Sequence, residues 1–288
     1  MASTQQIKGR IRSVKTTKQI TKAMEMVAAS RMRRAQEATT RTRLYAETAR
    51  ELLTRLSQLT DVKNDPLFAG RSIKNRLIIL ITSDRGLAGA YDSNMLKLYT
   101  QQLKADRAAK IGTQTICIGR KGSNFVARVK DVQTVGVYHD FPDQPSANEL
   151  RPILDTVVQL FITGEIDAVD VIFTGYINSL RQESRQQRIL PAGFEETEVS
   201  HAIDTADFEP SAEVVLQNTT MRLLEVQLFQ SMLDAKASEY SMRMIAMRNA
   251  TDNATGLIDD LTLEFNNARQ AAITQELAEI TGGAEAMK

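Results

Sequence analysis

A proline-free run closes this chain: residues 211–288 read SAEVVLQNTTMRLLEVQLFQSMLDAKASEYSMRMIAMRNATDNATGLIDDLTLEFNNARQAAITQELAEITGGAEAMK. The run contains only three glycines, Gly256, Gly282 and Gly283. Because proline and glycine destabilise helix interiors, this composition predicts one long helix. At about 1.5 Å of rise per residue, a helix over residues 211–280 would be roughly 105 Å long.

The start of the chain has the same character, since its first 65 residues contain no proline and one glycine, Gly9. All six prolines and ten of the fourteen glycines lie between Pro66 and Pro210. A first helix over residues 3–59 would be roughly 85 Å long. The segment between the helices should have a radius of gyration of only about 15 Å. We therefore expect both helices to extend far beyond the middle of the chain.

This composition predicts three domains. They are an N-terminal shaft helix at residues 1–60, a central α/β domain at residues 61–210 and a C-terminal shaft helix at residues 211–288. Charge follows the same division, because residues 1–56 carry thirteen Lys or Arg against four Glu, whereas residues 211–288 carry six against eleven acidic residues. A basic helix and an acidic helix on one chain can attract each other.

Both terminal runs place apolar residues at helical spacing, which predicts a two-helix coiled coil of imperfect register. The first stripe is Ile7, Ile11, Val14, Ile20, Met24 and Val27, then the small residues Ala28, Ala29, Ala35 and Ala38, and then Tyr45, Ala49, Leu52, Leu56 and Leu59. The second is Met221, Leu224, Leu228, Met232, Ala235, Ala246, Ala250, Ala254, Leu257, Leu261, Phe265, Ala268 and Ala272, interrupted by Glu239 and Arg243. The chain enters the central domain near residue 60 and leaves it near residue 210, so both helices should have these ends at the domain. The helices should therefore be antiparallel, with Met24 near Ala246 and Ile7 near Leu263.

The last part of the C-terminal helix should lack an intramolecular partner beyond about residue 268. It still carries the apolar residues Ile273, Leu277 and Ile280. A short unpartnered helix is marginal in water. We therefore expect this tip to be buried in another protein.

Between the shaft helices, short apolar runs alternate with helical segments, which predicts a mostly parallel α/β layer. The predicted strands are 78–82, 115–118, 169–174 (closed by Gly175) and 187–190. One predicted helix has Asp92 or Ser93 as its N-cap and runs through Leu103, and a second spans 148–163. Residues 191–210 are expected to form a surface loop.

The first strand ends in the polar turn Ser83-Asp84-Arg85-Gly86-Leu87-Ala88-Gly89. This is the position where α/β folds bind ligands. The chain has no Gly-x-Gly-x-x-Gly and no Gly-Lys-Ser/Thr motif, so a nucleotide site is disfavoured. A tight turn in which Asp84 and Arg85 bond locally, or to a partner, is the favoured interpretation.

Few residues offer catalytic or metal chemistry. His139 and His201 have no Cys or His companions at ligand spacing, and we expect neither a metal nor a cofactor. The single cysteine, Cys117, lies in an apolar run and is expected to be a buried structural thiol. No apolar run approaches the roughly 18 residues of a membrane span, and the N-terminus lacks the apolar core of a signal peptide.

An arginine-rich run lies in the first helix, at Arg31, Arg33, Arg34, Arg41 and Arg43. The spacing alone leaves three interpretations open. The run could be a solvated face, a nucleic-acid stripe, or a surface for an acidic protein partner. Nucleic-acid binding predicts an affinity that falls steeply with salt, but it leaves the apolar tip unexplained. An α/β enzyme with helical arms is a third possibility, and it requires a ligand at the Asp84–Gly89 turn.

Four segments resemble the gamma subunit of F-type ATP synthases, in the right order along the whole chain. They are IKGRIRSVKTTKQITKAMEMVAASRMRRAQ (7–36), SDRGLAGAYDSN (83–94), AMRNATDNA (246–254) and ARQAAITQELAEITGGA (268–284). The resemblance implies a rotor shaft without a catalytic site, which couples proton flow to ATP synthesis and hydrolysis. It also implies partners: three alpha and three beta subunits, the epsilon subunit and the membrane ring of c subunits, with no nucleic acid and with membrane contact only through these subunits.

The same resemblance implies which residues have roles. Contacts with the catalytic head are expected at Lys22, Met24, Arg31, Arg33, Arg34, Arg269, Gln270, Ile273, Thr274, Glu276 and Leu277, and the family's turn motif at Ser83, Asp84, Arg85, Gly86 and Gly89. Position 88 is Ala where many relatives have Cys, and Cys117 stands alone, so thiol regulation is not expected. The start without a transit peptide favours the cytoplasmic face of a bacterial plasma membrane, with the matrix face of an organelle inner membrane as the alternative.

Overall fold

A computed structural model describes residues 4–59, 65–192 and 199–286, without the side chains of Ser57, Gln217, Asn218 and residues 283–286. The helices are α1 (Thr4–Leu59), α2 (Tyr91–Ala108), α3 (Arg120–Val126), α4 (Ala147–Ile162), α5 (His201–Asp204) and α6 (Ala212–Ala286). The strands are β1 (Asn75–Ile81), β2 (Gly112–Ile118), β3 (Gln133–Tyr138), β4 (Ala168–Tyr176) and β5 (Gln182–Leu190). The predicted fold class is confirmed: two long terminal helices enclose a mostly parallel α/β domain in the sequence.

The described residues form two compact units. Unit 1 contains residues 4–28 and 244–286, and unit 2 contains residues 29–243. The three-domain division at residues 1–60, 61–210 and 211–288 is a different partition of the chain and stays a prediction.

Unit 2 is organised around a five-stranded sheet of order β3-β2-β1-β4-β5. The β1 strand pairs in parallel with β2 and with β4, β2 pairs in parallel with β3, and β5 is antiparallel to β4. The central strands are buried on both faces, as expected for apolar strands covered by helices. One face packs against α1, α4 and α6, and the other against α2 and α3.

Sequence patterns missed two elements of the sheet domain. The β3 strand is an edge strand with partly exposed side chains and an internal Gly136, so it lacks the apolar run that identifies β1. The α3 helix has only seven residues. The β5 strand begins five residues before its predicted start because its first half is polar, and Gly175 lies inside β4 rather than closing it.

The predicted start of α2 is wrong. The helix begins at Tyr91, after Ala90, and neither Asp92 nor Ser93 is its N-cap. The Asp92 carboxylate instead accepts hydrogen bonds from the amide and the hydroxyl of Ser83, at 2.9 and 2.6 Å. In the predicted loop at residues 191–210, residues 193–198 lie outside the described ones, and residues 201–204 form α5.

The seam of the helix pair in unit 1 departs from the predicted stripe between residues 20 and 27. Ile7 and Ala28 are buried as predicted, but Thr21 is buried in addition, and the predicted Ile20 and Val27 are each more than half exposed. The Oγ1 atoms of Thr21 and Thr251 lie 2.8 Å apart, two positions from the predicted pairing. The small seam residues allow this close approach, which leaves the larger β-branched side chains on the outer face.

A similar shift occurs in unit 2. Ala46 is buried and Tyr45 is exposed, although Ala49 and Leu56 lie in the core as predicted. Glu239, which interrupts the predicted apolar stripe of α6, is only 6% exposed. It is stabilised there by an ion pair with Arg243 at 2.7 Å.

Candidate functional site

The turn after β1 is held by its own polar side chains. Ser83 is fully buried, and its hydroxyl lies 2.9 Å from the carbonyl oxygen of Arg85 and 2.6 Å from a carboxylate oxygen of Asp92. The chain can then turn sharply, since Leu87 and Gly89 adopt φ values of 66° and 59°. Leu87 is 61% exposed at the tip of the turn. Ser83 thus makes the local bonds of this turn, whereas Asp84, for which a bond within the turn or to a partner was expected, bonds to residues distant in sequence.

Asp84 connects this turn to two other strand ends. One carboxylate oxygen accepts the amide of Arg120, which follows β2, and the other accepts the amide of Asp140, which follows β3; both distances are 3.1 Å. The Arg120 guanidinium pairs with Asp140 at 2.5 Å and keeps the pKa of that carboxyl below its usual range. Both carboxylate oxygens of Asp84 thus bond to backbone amides of this chain and hold the turn against the ends of β2 and β3.

Arg243 of α6 contacts the same turn. Its guanidinium donates to the carbonyl oxygen of Arg85 at 2.9 Å and to that of Gly86 at 3.3 Å. It also pairs with the buried Glu239 at 2.7 Å. Burial and the nearby Glu239 carboxylate raise the pKa of Tyr91 well above its usual value. Sequence reasoning treated Arg243 as an interruption of a stripe and missed this role.

The arginines of α1 differ in how far they are engaged by this chain. Arg31 pairs with Asp143 at 3.1 Å, and its guanidinium lies 5.9 Å from the centre of the Tyr240 ring. The Tyr240 hydroxyl donates to the other oxygen of Asp143. Arg33 and Arg34 are exposed, and among the described side chains Arg34 contacts Ser30 on its own helix at a long distance of 3.5 Å. Of the three, Arg33 and Arg34 therefore remain open to a partner.

In unit 1, two of the expected contact residues lie on the first helix. Lys22 is exposed and pairs with Glu25 at 3.0 Å, and Met24 is half-buried. The others lie along the end of α6, where every described side chain from Arg269 to Gly282 is exposed. They are Arg269, Gln270, Ile273, Thr274, Glu276 and Leu277.

The apolar side chains of this α6 tip are exposed to a degree unusual for aliphatic residues. Ile273, Leu277 and Ile280 are 49, 58 and 69% exposed. Their spacing of three and four residues places them along one side of the helix. This stripe is the clearest surface in unit 1 for a protein partner.

Chemical machinery is sparse in the described residues. They contain no group of three or more His, Cys, Asp or Glu side chains arranged to hold a metal ion. Cys117 is fully buried, and burial raises the pKa of its thiol to about 12. Among the helices that the structure describes, none combines the length and hydropathy that a membrane span requires.

Comparisons with known proteins agree on one family. A sequence profile of the family described as ATP synthase matches residues 3–287. The chain is 40% identical over 291 residues to the ATP synthase gamma chain of Moorella thermoacetica, covering all of both chains. It is also 40% identical over 291 residues to that of Macrococcus caseolyticus, and 38% identical over 290 residues to that of Staphylococcus epidermidis, again covering all of each chain.

Solved structures share the fold at lower identity. A chain of the Euglena gracilis mitochondrial ATP synthase, from a structure of OSCP, F1 and the c-ring, aligns with a TM-score of 0.70 at 19% identity, over 99% of this chain and 94% of that one. A chain from the central stalk and c-ring of the Tetrahymena thermophila enzyme aligns with a TM-score of 0.62 at 23% identity, over 80% of this chain and 99% of that one.

Proposed function

This chain belongs to the ATP synthase gamma-chain family, and we propose that it acts as the central rotor shaft of a proton-translocating ATP synthase. It is a non-catalytic subunit of that complex. Its task is to couple rotation driven by proton flow to conformational changes in the catalytic head. The exposed apolar stripe on the α6 tip is the single observation that carries this role, because such a surface requires a surrounding protein.

The tip of α6 is the upper bearing of the shaft in this proposal. Ile273 and Leu277 would contact apolar walls in the upper part of a ring of three alpha and three beta subunits. The polar side chains Arg269, Gln270, Thr274 and Glu276 would make the neighbouring contacts. Small and medium-sized side chains suit a surface that must turn, because large interlocking anchors would stabilise a single angle too strongly.

A second set of contacts would lie lower on the shaft. Lys22, Met24, Arg33 and Arg34 would face acidic loops of the same ring. Arg31 belongs to this expected set as well, but its guanidinium is already paired with Asp143. Arg31 would therefore have two roles: it would hold α1 against the segment that contains Asp143, and it would contact a partner.

The remaining partners would surround the α/β domain. We place the epsilon subunit and the ring of c subunits there, on the side of the complex that faces the membrane. The chain would reach the membrane only through these partners. The location would be the cytoplasmic face of a bacterial plasma membrane, in keeping with its bacterial relatives.

Coupling follows from the arrangement of one shaft in a three-fold ring. A single chain cannot make identical contacts with three beta subunits, so each would experience a different set of interactions. A contact shifts a conformational equilibrium only by the difference in its free energy between the two states. Such coupling is reciprocal, so rotation changes nucleotide affinity and nucleotide binding drives rotation.

The test is reconstitution of the full chain with alpha and beta subunits from the same source. We expect a complex with one copy of this chain and three copies of each partner, active in ATP hydrolysis. Addition of epsilon and the c-ring should then restore proton pumping. A chain that fails to join alpha and beta, and instead binds DNA or RNA in a salt-sensitive manner, would overturn the proposal.

A further inference from the structure

Unit 2 contains an open cleft of about 570 Å³ bounded by α1, α6, β5 and the end of β4. We name it the glutamine cleft and define it by Arg50, Arg185, Gln187, Gln227, Gln230 and Asp234. Its volume lies in the usual range for sites that bind small molecules. None of these residues belongs to the contacts proposed for the catalytic head.

Polar side chains of β5 line this cleft on a face of the sheet that is otherwise apolar. Arg185 and Gln187 of β5 pair with Phe173 and Val171 of β4, which are 4% and 0% exposed. Residues directly opposite each other in an antiparallel pair share a face of the sheet. Arg185 and Gln187 therefore stand where apolar side chains would extend the core. Because desolvating polar groups costs free energy, polar side chains at these positions require compensating contacts.

Gln227 is the least exposed of the residues that define the glutamine cleft. It lines the cleft and is only 8% exposed. Its side-chain amide has no hydrogen-bond partner among the residues that the structure describes. A primary amide offers two donors and one acceptor. Because the cleft is open, the Gln227 amide is accessible to water and to a polar ligand.

A guanidinium on the opposite wall has no ion-pair partner among the described residues. Arg50 of α1 is half-buried in the cleft, and no described carboxylate pairs with it. Arg43, in contrast, donates to the carbonyl oxygen of Tyr176 at 2.8 Å and pairs with Asp234 at 3.4 Å. Gln230 donates to the same Asp234 carboxylate at 3.2 Å. One side of the cleft is thus internally satisfied, while Arg50 and Gln227 remain available.

The charges that face the cleft give it a positive balance. They are the guanidiniums of Arg43, Arg50 and Arg185 against the carboxylates of Glu47 and Asp234. Burial raises the pKa of Asp234 to about 6, against the lowering effect of Arg43. As the pH falls through that value, Asp234 loses its charge and the positive balance grows. Arg43 then loses the ionic partner that offsets its charge, while it keeps its hydrogen bond to the carbonyl oxygen of Tyr176.

We propose that the glutamine cleft binds a small phosphate-bearing anion, with Arg50 as its charge partner and the Gln227 amide as a hydrogen-bond donor. Guanidinium groups bind phosphate oxygens through paired, charge-assisted hydrogen bonds. Glutamine amides add donors for the remaining oxygens. The phosphate group could be free or carried by a nucleotide, and the two sources differ in what else fills the cleft.

Isothermal titration of the purified full-length chain tests this proposal. Sulfate serves as the first probe because it stays doubly charged between about pH 5.5 and pH 7.5, so any pH dependence belongs to the protein. We expect saturable binding that tightens several-fold at the lower pH. Inorganic phosphate and ADP follow at the higher pH. Tighter binding of ADP identifies a nucleotide site, and equal binding identifies a site for free phosphate.

Variants separate this site from non-specific attraction. Arg50→Gln should weaken sulfate binding about tenfold, the loss expected for one charge-assisted contact. Arg41→Gln is the matched control, since Arg41 lies on the exposed face of the same helix with a side chain 80% exposed. Gln227→Leu should weaken binding without changing net charge. Asp234→Asn should retain binding and remove its dependence on pH.

Two results would overturn the proposal. One is the absence of saturable binding for sulfate, phosphate and ADP up to concentrations on the order of 10 mM. The other is an Arg50→Gln variant that melts like the wild type and binds sulfate as well as the Arg41→Gln control. Neither result concerns assembly with alpha and beta subunits, so the rotor role is tested separately.

Discussion

The side-chain oxygens of Thr21 and Thr251 lie 2.8 Å apart across the helix pair of unit 1. The Thr21 hydroxyl also lies 3.1 Å from the carbonyl oxygen of Lys18, and that of Thr251 lies 2.8 Å from the carbonyl oxygen of Met247. The two threonine hydroxyls have only two protons for these three contacts. If the helices separate, each hydroxyl can still donate to a carbonyl oxygen of its own helix. The main effect of the pair is therefore to set the distance between the helices.

A longer side chain at this contact should force the helices apart. We expect Thr21→Leu to destabilise the helix pair by about 1–3 kcal/mol through overpacking. Hydrogen exchange measured on the full chain should then be faster at amides around residues 247–255. Ile20→Leu is the control, because Ile20 is more than half exposed. Equal exchange in both variants would mean that the seam has spare room.

Loss of Arg243 should destabilise unit 2. Arg243→Ala removes the donors to the carbonyls of Arg85 and Gly86 and leaves the buried Glu239 without this ion pair. We expect the free energy of unfolding to fall by about 2–4 kcal/mol. Urea unfolding followed by circular dichroism would measure this, with Arg248→Ala, an exposed position, as the control. Indistinguishable curves for the two variants would contradict the prediction.

Asp234 should make stability depend on pH in an unusual direction. Its pKa is raised to about 6 by burial, so the folded state binds a proton more tightly than the unfolded state, whose carboxyl titrates near 4. Stability from this group is present below about pH 4 and is lost as the pH rises through about 6. The size of this contribution is on the order of 2–3 kcal/mol.

Asp234→Asn tests that linkage. The variant should melt higher than the wild type at neutral pH, and the difference should shrink toward about pH 4 as the wild-type carboxyl becomes neutral. Asp155→Asn, at an exposed position of α4, is the matched control. A variant that melts lower than the wild type at neutral pH would show that the ion pair with Arg43 outweighs the cost of burial.

The α6 tip should matter for the complex and not for the isolated chain. Ile273→Ser combined with Leu277→Ser should leave the melting temperature of the chain unchanged, because both side chains are largely exposed. We expect weaker assembly or uncoupled ATP hydrolysis in the reconstituted enzyme, and a stronger defect when residues 273–288 are deleted. Gln275→Ala is a control on the same helix. Normal proton pumping after the deletion would show that the tip is dispensable for torque.

Cys117 should be inert while the chain is folded. Its thiol is fully buried, and because the thiolate is the reactive form, the raised pKa of about 12 slows alkylation further. Iodoacetamide at about pH 8 should therefore label it only in denaturant. A Leu87→Cys, Cys117→Ser variant should label rapidly without denaturant, since Leu87 is 61% exposed. Fast labelling of the wild type would refute the assigned burial.

Much of the fold could be predicted because its strongest signals are local. The absence of proline marks α1 and α6, and the apolar runs mark β1 and β4. The seam was harder to predict, since Thr21 is buried through the close approach of a second helix that its own sequence does not reveal. Hydrophobicity alone favoured the larger Ile20 and Val27.

The polar sites depended on contacts distant in sequence. Arg243 meets a turn more than 150 residues earlier, and Asp143 joins Arg31 to Tyr240. The glutamine cleft gave one usable signal in the sequence, since Gln227, Gln230 and Asp234 recur at spacings of three and four residues beside the apolar stripe of α6. That signal could mark an exposed face equally well until the positions of α1 and β5 are known.

The two hydrogen bonds of Asp84 have a mechanical consequence. One carboxylate after β1 holds the backbone after β2 and the backbone after β3. A load applied to the turn at residues 83–89 would be divided among three parallel strands instead of stretching one. An amide at position 84 would keep only one good acceptor, so the same load would fall on fewer strands and the turn would yield at a lower force.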